Sequence, residues 1–336
     1  MPKGVVYIYS IHDDLKDKIS NLNSLLQEKY KGIFSQDREF LRTFIKKHIG
    51  PIKPMEKLDN RHLALYEAKG GIVGVDGSSN RIGGSYPHFV EVFQGLAKST
   101  LIKDEPIFKA DIYSPLLSNI PQNILEEDEK KETEAKNRIL SDIEVKVALE
   151  AVKRYKPYGI LMDGSLIRYY IYSYDLWMEL RNECEERGII LLGVIKDIKT
   201  TIIGEKLGEI YPDLNINAYD RELLFGTLDY GEVIVIDDAV NSKKKSGYSS
   251  VFMRSSMSPT VIGMDIIDSQ KAYLEEMSRL VFTLTPENSR GVPLWLDLVD
   301  KEVKISDAIM KSLLERYLDR DIYERFFISE RARRTL

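Results

Sequence analysis

At 336 residues and 43% apolar side chains, the chain can bury one large core or two ordinary ones, and its net charge of −5 argues against nucleic-acid binding through overall positive charge. A single cysteine, Cys184, excludes an internal disulfide and a cysteine-based zinc site and points to a reducing, cytoplasmic compartment, while His12, His48, His62 and His88 are scattered without HxxxH or HxH spacing. No apolar run approaches the roughly 18 residues that span a bilayer, and the charges of IHDDLKDK follow the short VVYIYSI at once, against a signal peptide.

Residues 14–48 carry apolar positions at helical spacing (Leu15, Ile19, Leu22, Leu25, Leu26), which predicts one or two helices ahead of the main fold. The segment 49–70, with Pro51 and Pro54, reads as a connector. An apolar run ending at Asp76, then HFVEVFQGLAKSTLI (88–102) and IFKADIY (107–113), predict three strands in an antiparallel meander. After a loop at 114–124, a long helix is predicted over about 126–155, opened by acidic residues that suit its dipole and closed before Pro157. A strand at 158–163, a helix at 170–186 and a strand at 188–196 follow. Further strands are expected at 231–236 and 260–266, with helices at about 268–280 and 303–317. Three strands, helix, strand, helix, strand is the order of a ribonuclease H-like α/β core with a mixed central sheet and added helical elements at both ends. In that order the first strand is central and the strand after the long helix returns parallel beside it.

Two of these strands end alike. GIVGVDGSSNRIGG (71–84) and YGILMDGSLIRYY (158–170) both run from apolar residues into Asp-Gly-Ser, at Asp76 and Asp163. In the expected topology the two aspartates lie side by side, where their repulsion calls for a divalent cation, and hard oxygen ligands favour magnesium or manganese. The glycine after each allows a tight turn and close approach. On the long helix, Leu140, Ile143, Val147, Ala148 and Ala151 define an apolar stripe, and Glu144 falls inside it while Asp142 points away. Glu144 could reach the aspartates, or could pair with a basic side chain at the edge; Glu150, on the flank of the stripe, competes for the role. GVIKD (193–197) places Lys196 at another strand end, where it could neutralise a phosphate or serve as an ordinary strand-end lysine. RGVPLWLDLVDKEVKIS (290–306) offers Asp297 and Asp300 beside an apolar strand and ahead of a helix; either could be a helix-terminal charge or a further metal ligand. Basic material for a local nucleic-acid groove lies in Lys243, Lys244 and Lys245, in Lys196, Lys199 and Lys206, and in Arg331, Arg333 and Arg334. Solvated surface charge accounts for each cluster taken singly.

VDGSS, the helix glutamate, ILMDGSL, GVIKD and GVPLWLDLVD, in this order, resemble the NurA nucleases of archaea and some bacteria over about residues 70–310. The resemblance implies a ribonuclease H-like nuclease domain at 70–336 behind an N-terminal helical and connector region at 1–69. It implies a manganese-dependent DNA nuclease, of single-strand endonuclease and 5′–3′ exonuclease type, with magnesium as a possible substitute. It further implies a homodimer that works with a HerA-type hexameric translocase in DNA end resection and repair. Position by position, Asp76 and Asp163 match the acidic ligands, Glu144 the helix glutamate and Lys196 the lysine after Gly-Val. Where the family ends in Ala-Asp or Ala-His, this chain has Val299–Asp300, and Asp297 remains the alternative. Two ions are implied, with Asp76 bridging them and Glu144, Asp163 and Asp300 completing their shells.

Two other readings use the same residues. An actin or sugar-kinase type phosphotransferase could cradle phosphate with Asp-Gly-Ser-Ser-Asn and Gly83-Gly84, holding magnesium on Asp76; it requires a second such core and a late Gly-rich adenosine loop, which residues 225–336 lack. A non-catalytic adaptor would use the aspartates only as turn residues.

Overall fold

The computed structural model describes residues 13–34, 37–117, 125–214 and 218–328, and their side chains except 33–34 and 125–131. The chain opens with helices α1 (Asp13–Lys29), α2 (Lys31–Phe34) and α3 (Arg38–His48), a short strand β1 (Ile52–Pro54) and helix α4 (Asn60–Ala68). The meander follows as β2 (Ile72–Gly83), β3 (Phe89–Ser99) and β4 (Ile107–Tyr113), and then the long helix α5 (Leu125–Tyr155). Next come β5 (Gly159–Asp163), α6 (Leu166–Tyr172), α7 (Tyr174–Arg187), β6 (Ile190–Ile195), α8 (Ile202–Ile210) and α9 (Asp220–Leu224). Strands β7 (Glu232–Val235), β8 (Tyr248–Met253) and β9 (Ile262–Ile267) and helices α10 (Leu274–Leu284), α11 (Leu294–Val303), α12 (Asp307–Tyr317) and α13 (Arg320–Phe326) complete the chain.

All nine strands join one sheet in the order β1-β7-β8-β9-β6-β5-β2-β3-β4. The meander β2-β3-β4 is antiparallel, β5 lies parallel to β2, and β6 lies parallel to β5. This is the ribonuclease H-like arrangement expected from the sequence, extended beyond β6 by four further strands in antiparallel pairing. Among the described residues there is one sheet, so the second core that a sugar-kinase type protein needs is absent from them.

Because successive strand residues face opposite ways, each central strand feeds two cores. Val73, Val75, Ile160, Met162 and Leu191 pack beneath α5, α6 and α7. Leu161, Leu192, Val194, Val251 and Met264 pack on the other face, against Met277, Leu280 and Val281 of α10 and Leu296 of α11. A third cluster joins Phe44 and Ile45 of α3 to Leu207 of α8, Leu224 of α9 and the β7 end of the sheet.

Four local expectations are corrected. Segment 49–70 is more than a connector, since it supplies edge strand β1 and helix α4, whose Tyr66 is buried. The helix expected at 170–186 begins earlier, at Leu166, and breaks at Ser173, whose hydroxyl donates to Asp142 (2.5 Å). The stretch around 294–303 is a helix and not a strand: Leu296, Val299 and Val303 share its buried face, and the alternation of Leu-Trp-Leu-Asp-Leu imitates a strand period. Strand β8, every residue of which is buried, was not expected. Flanked by β7 and β9, it lacks the polar alternation that marks a half-exposed strand.

Gly95 on β3 lets α5 lie close to the sheet, for a Cβ there would stand 2.4 Å from Ile143 Cγ2 and 3.3 Å from the Ile143 backbone. Because the obstacle is β-branched and backed by main chain, Gly95→Ala should destabilise the fold by about 1–3 kcal/mol. Equilibrium denaturation checks this; an unchanged midpoint would refute the close packing of α5 on β3.

Candidate metal centre

The register of the parallel pair builds the centre. Val75 lies opposite Met162, so Asp76 and Asp163 stand next to each other just past the last paired residues. Alternation turns both toward the α11 face, where Val299, Trp295 and Leu296 pack over Gly74. Helix α11 brings Asp300 to the same point. Ligand oxygens of Asp76, Asp163 and Asp300 all lie within 4.8 Å of one another, an arrangement that could hold a metal ion.

Glu144 approaches from the other face. It is fully buried on α5, and a Cβ at Gly77 would fall 2.6 Å from its Oε1, so the glycine after Asp76 opens the space it occupies. The Arg168 guanidinium pairs with Glu144 Oε2, and the Tyr169 hydroxyl donates to the same oxygen (2.5 Å). Oε1 is buried without a hydrogen-bond partner. An orphaned, buried carboxylate oxygen beside an acidic cluster fits a cation-binding role, since such an atom is costly unless something positive meets it. Glu150 stands elsewhere, in contact with Lys109 (2.8 Å) and Arg154 (3.2 Å).

The remaining expected residues divide. The Lys196 ammonium pairs with Asp163 and lies 3.9 Å from Asp300. Asp297 is held by Arg290 (2.6 Å), whereas Asp300 faces the aspartates and accepts from Lys304 (2.7 Å). The lysine cluster 243–245 is largely neutralised: Lys243 is buried with both Asp265 oxygens 2.8 Å away, and Lys244 pairs with Asp238 and Asp268. Lys206 pairs with Glu209 (2.7 Å) and Lys199 is exposed. Arg331, Arg333 and Arg334 lie outside the described residues.

The second Asp-Gly-Ser has a further anchor. Gly164 takes a positive φ of 118°, and its N–H bonds Val194 O (2.8 Å), turning the chain at once into α6. Ser165 Oγ then donates to buried Asp265 (2.6 Å), which also accepts from Ser250 (2.7 Å). Arg168, Tyr169 and Asp265 are not among the candidate residues that the sequence offers. The signals for them were a lone arginine in LIRYYIY and a lone carboxylate inside the apolar strand IGMDII.

Strand order and site together define a ribonuclease H-like protein whose carboxylates gather at the ends of adjacent central strands. The NurA domain family matches residues 70–305, most of the chain, and the chain belongs to the NurA family, which makes it a nuclease. No curated protein matches it. Among solved structures it is similar to endonuclease V from Bacillus subtilis, with 12% identity, 84% of this chain and 96% of that chain covered, and a TM-score of 0.39. It is also similar to the catalytic domain of human endonuclease V (13%, 82% and 96%, 0.36) and to Drosophila Piwi (10%, 69% and 29%, 0.35).

Burial, reinforced by the Asp163 and Glu144 charges, pushes the Asp76 carboxyl up to about 9, against the pull of Lys196 and the Gly77 N–H. Burial likewise pushes Glu144 up to about 7, although Arg168 and Tyr169 oppose it. At Asp300 burial acts upward too, but the hydrogen bond from Lys304 and the charges of Lys196 and Lys304 hold it below its ordinary value. A carboxyl raised in the folded state binds its proton more tightly there than in the unfolded chain. Stability without cations therefore falls as pH rises from the ordinary carboxylate range near about 4 through about 9. In chelator the melting temperature should drop between about pH 6 and about pH 9, and Asp76→Asn should lessen that drop and melt above wild type at the upper end. A wild-type pH slope in Asp76→Asn would contradict the assignment.

Proposed function

We propose that the protein is a manganese-dependent DNA nuclease, with magnesium as a weaker substitute, that works at DNA ends beside a HerA-type hexameric translocase. The observation that carries this reading is the convergence of Asp76, Asp163 and Asp300 from β2, β5 and α11 within 4.8 Å. Their all-oxygen donor set suits a hard divalent ion. Asp76, Asp163 and Asp300 would hold one ion, and Asp76 with the unpartnered Oε1 of Glu144 a second. When bound, the ions supply hydroxide near neutral pH and stabilise the departing oxygen of a phosphodiester.

The chain's own residues fix the rest. Lys196, beside Asp163 and Asp300, offers its ammonium to the scissile phosphate. Arg168 and Tyr169 meet Glu144 at its Oε2, on the α5 face of the sheet. The proposed biological unit is a cytoplasmic homodimer. No helix among the described residues is long and apolar enough to cross a membrane.

End-labelled single- and double-stranded DNA incubated with manganese, magnesium or chelator tests the reading. Cleavage is expected with manganese and none with chelator. Asp76→Asn, Asp163→Asn and Asp300→Asn should each lower it by at least about 100-fold, roughly the loss of one catalytic charge contact. Asp297→Asn and Glu150→Ala should remain near wild type. Chelator-resistant cleavage, or an active Asp163→Asn, would reject the shared centre.

The translocase has its own test. A net charge of −5 predicts modest, salt-sensitive affinity for DNA, which a ring-shaped motor offsets by raising the local strand concentration. Helix α1 buries none of its residues, and Leu15, Ile19, Leu22 and Leu25 are each more than half exposed, a surface suited to such a partner. Degradation of long duplexes at near-physiological salt should need the motor and ATP, and Leu15→Ser/Leu22→Ser should reduce that stimulation while sparing nicking by the nuclease alone. Unaided processive digestion, or full stimulation of the double variant, would disprove the coupling.

A further inference from the structure

We infer that Tyr169 and Arg168 are positioning residues that orient Glu144 toward the metal centre; the inference rests on the reading of Glu144 as a metal ligand. The hydrogen bonds of this carboxylate are one-sided. Oε2 receives the Tyr169 hydroxyl (2.5 Å) and the Arg168 guanidinium, whereas Oε1 is buried with no partner. Oε1 lies against Gly77, directly after Asp76, where any side chain would collide with it at 2.6 Å. A carboxylate pinned at one oxygen cannot rotate to share its donors, so Oε1 stays beside Gly77, the residue after Asp76.

The clamp is itself rigid. Tyr169 is fully buried and stacks on Trp177 (5.4 Å between centroids, 20° between planes), and the Trp177 indole N–H donates to the Tyr248 hydroxyl (2.9 Å). Arg168 Nη2 also reaches the Tyr169 oxygen (2.9 Å), tying the two donors together. Their helix is preceded by its N-cap Ser165, whose hydroxyl donates to buried Asp265 on β9. Through Tyr248 and Asp265, strands β8 and β9 thereby anchor the helices that carry and back the clamp. The two donors would serve a merely structural carboxylate equally well; what favours a ligand is that Oε1 is fully buried with no partner beside the residue that follows Asp76.

Manganese binding to the full-length protein without DNA, followed by electron paramagnetic resonance and calorimetry, tests this in wild type, Tyr169→Phe, Arg168→Lys, Glu144→Gln and the Tyr169→Phe/Glu144→Gln double variant. Thermal melting in chelator verifies that each is folded; Tyr169→Phe retains the buried ring and Arg168→Lys the charge. Tyr169→Phe and Arg168→Lys should each weaken one manganese step by about 10- to 100-fold. Glu144→Gln should weaken the same step, and adding Tyr169→Phe to it should change nothing further. If Tyr169→Phe weakens binding equally on the Glu144→Gln background, or if both clamp variants bind like wild type while Glu144→Gln does not, the positioning role is overturned alone. Wild-type binding by Glu144→Gln overturns the ligand reading of Glu144 and the positioning role with it.

Discussion

Parallel pairing of β2 with β5 sets two carboxylates side by side at the ends of buried strands, and the surrounding elements accommodate that repulsion. Asp76 is 7% exposed, so water does little to screen it from Asp163. Cations gather instead from outside the pair: Lys196 after β6 on Asp163, Lys304 after α11 on Asp300, and Arg168 from α6 on Glu144. The strands themselves carry the cost through packing, since Val73, Val75, Ile160 and Met162 are wholly buried immediately before the acidic ends. A site of this kind trades stability for chemistry, which is the usual mark of residues kept for function and not for folding.

The centre draws on both faces of the sheet. Asp76 and Asp163 turn toward α11, while Glu144 reaches in from α5 through the gap left by Gly77. Helices α5 and α11 pack on the two faces of β2 here, which leaves the space beyond the strand ends. Ligands in open α/β sheets generally bind there. The geometry also separates the acidic residues into a tight group of three and a fourth, Glu144, that meets Tyr169 and Arg168 on the α5 face.

Charge is organised with the same economy. Of the lysines that could have lined a groove, Lys243 is buried against Asp265 in a network that ends at Ser165, and Lys244 bridges two aspartates. In this cluster Lys243 is tied to β9 and Lys244 to Asp238 and Asp268. Near the carboxylates, Lys196 and Arg290 remain partly exposed.

The linear chain was enough to reveal the core. Apolar runs ending in Asp-Gly-Ser, the order of strands β2 to β6 and the helix phase of Glu144 are local or periodic properties, and each is visible without neighbours. Asp300 could not be told from Asp297, because both sit in one helix turn whose alternating residues imitate a strand; the pairing of Asp297 with Arg290 separates them only in three dimensions. Strands β1 and β8 were hidden for a related reason: one is three residues long, and the other is buried on both faces and carries no alternation. The clamp of Arg168 and Tyr169 on Glu144 joins residues 24 and 25 positions apart, and the Ser165–Asp265 bond spans 100. No spacing rule connects such pairs. Ser165 and Asp265 meet because β5 and β9 both flank β6, and Glu144 meets Arg168 and Tyr169 because α5 packs against α6, adjacencies that belong to the folded structure alone.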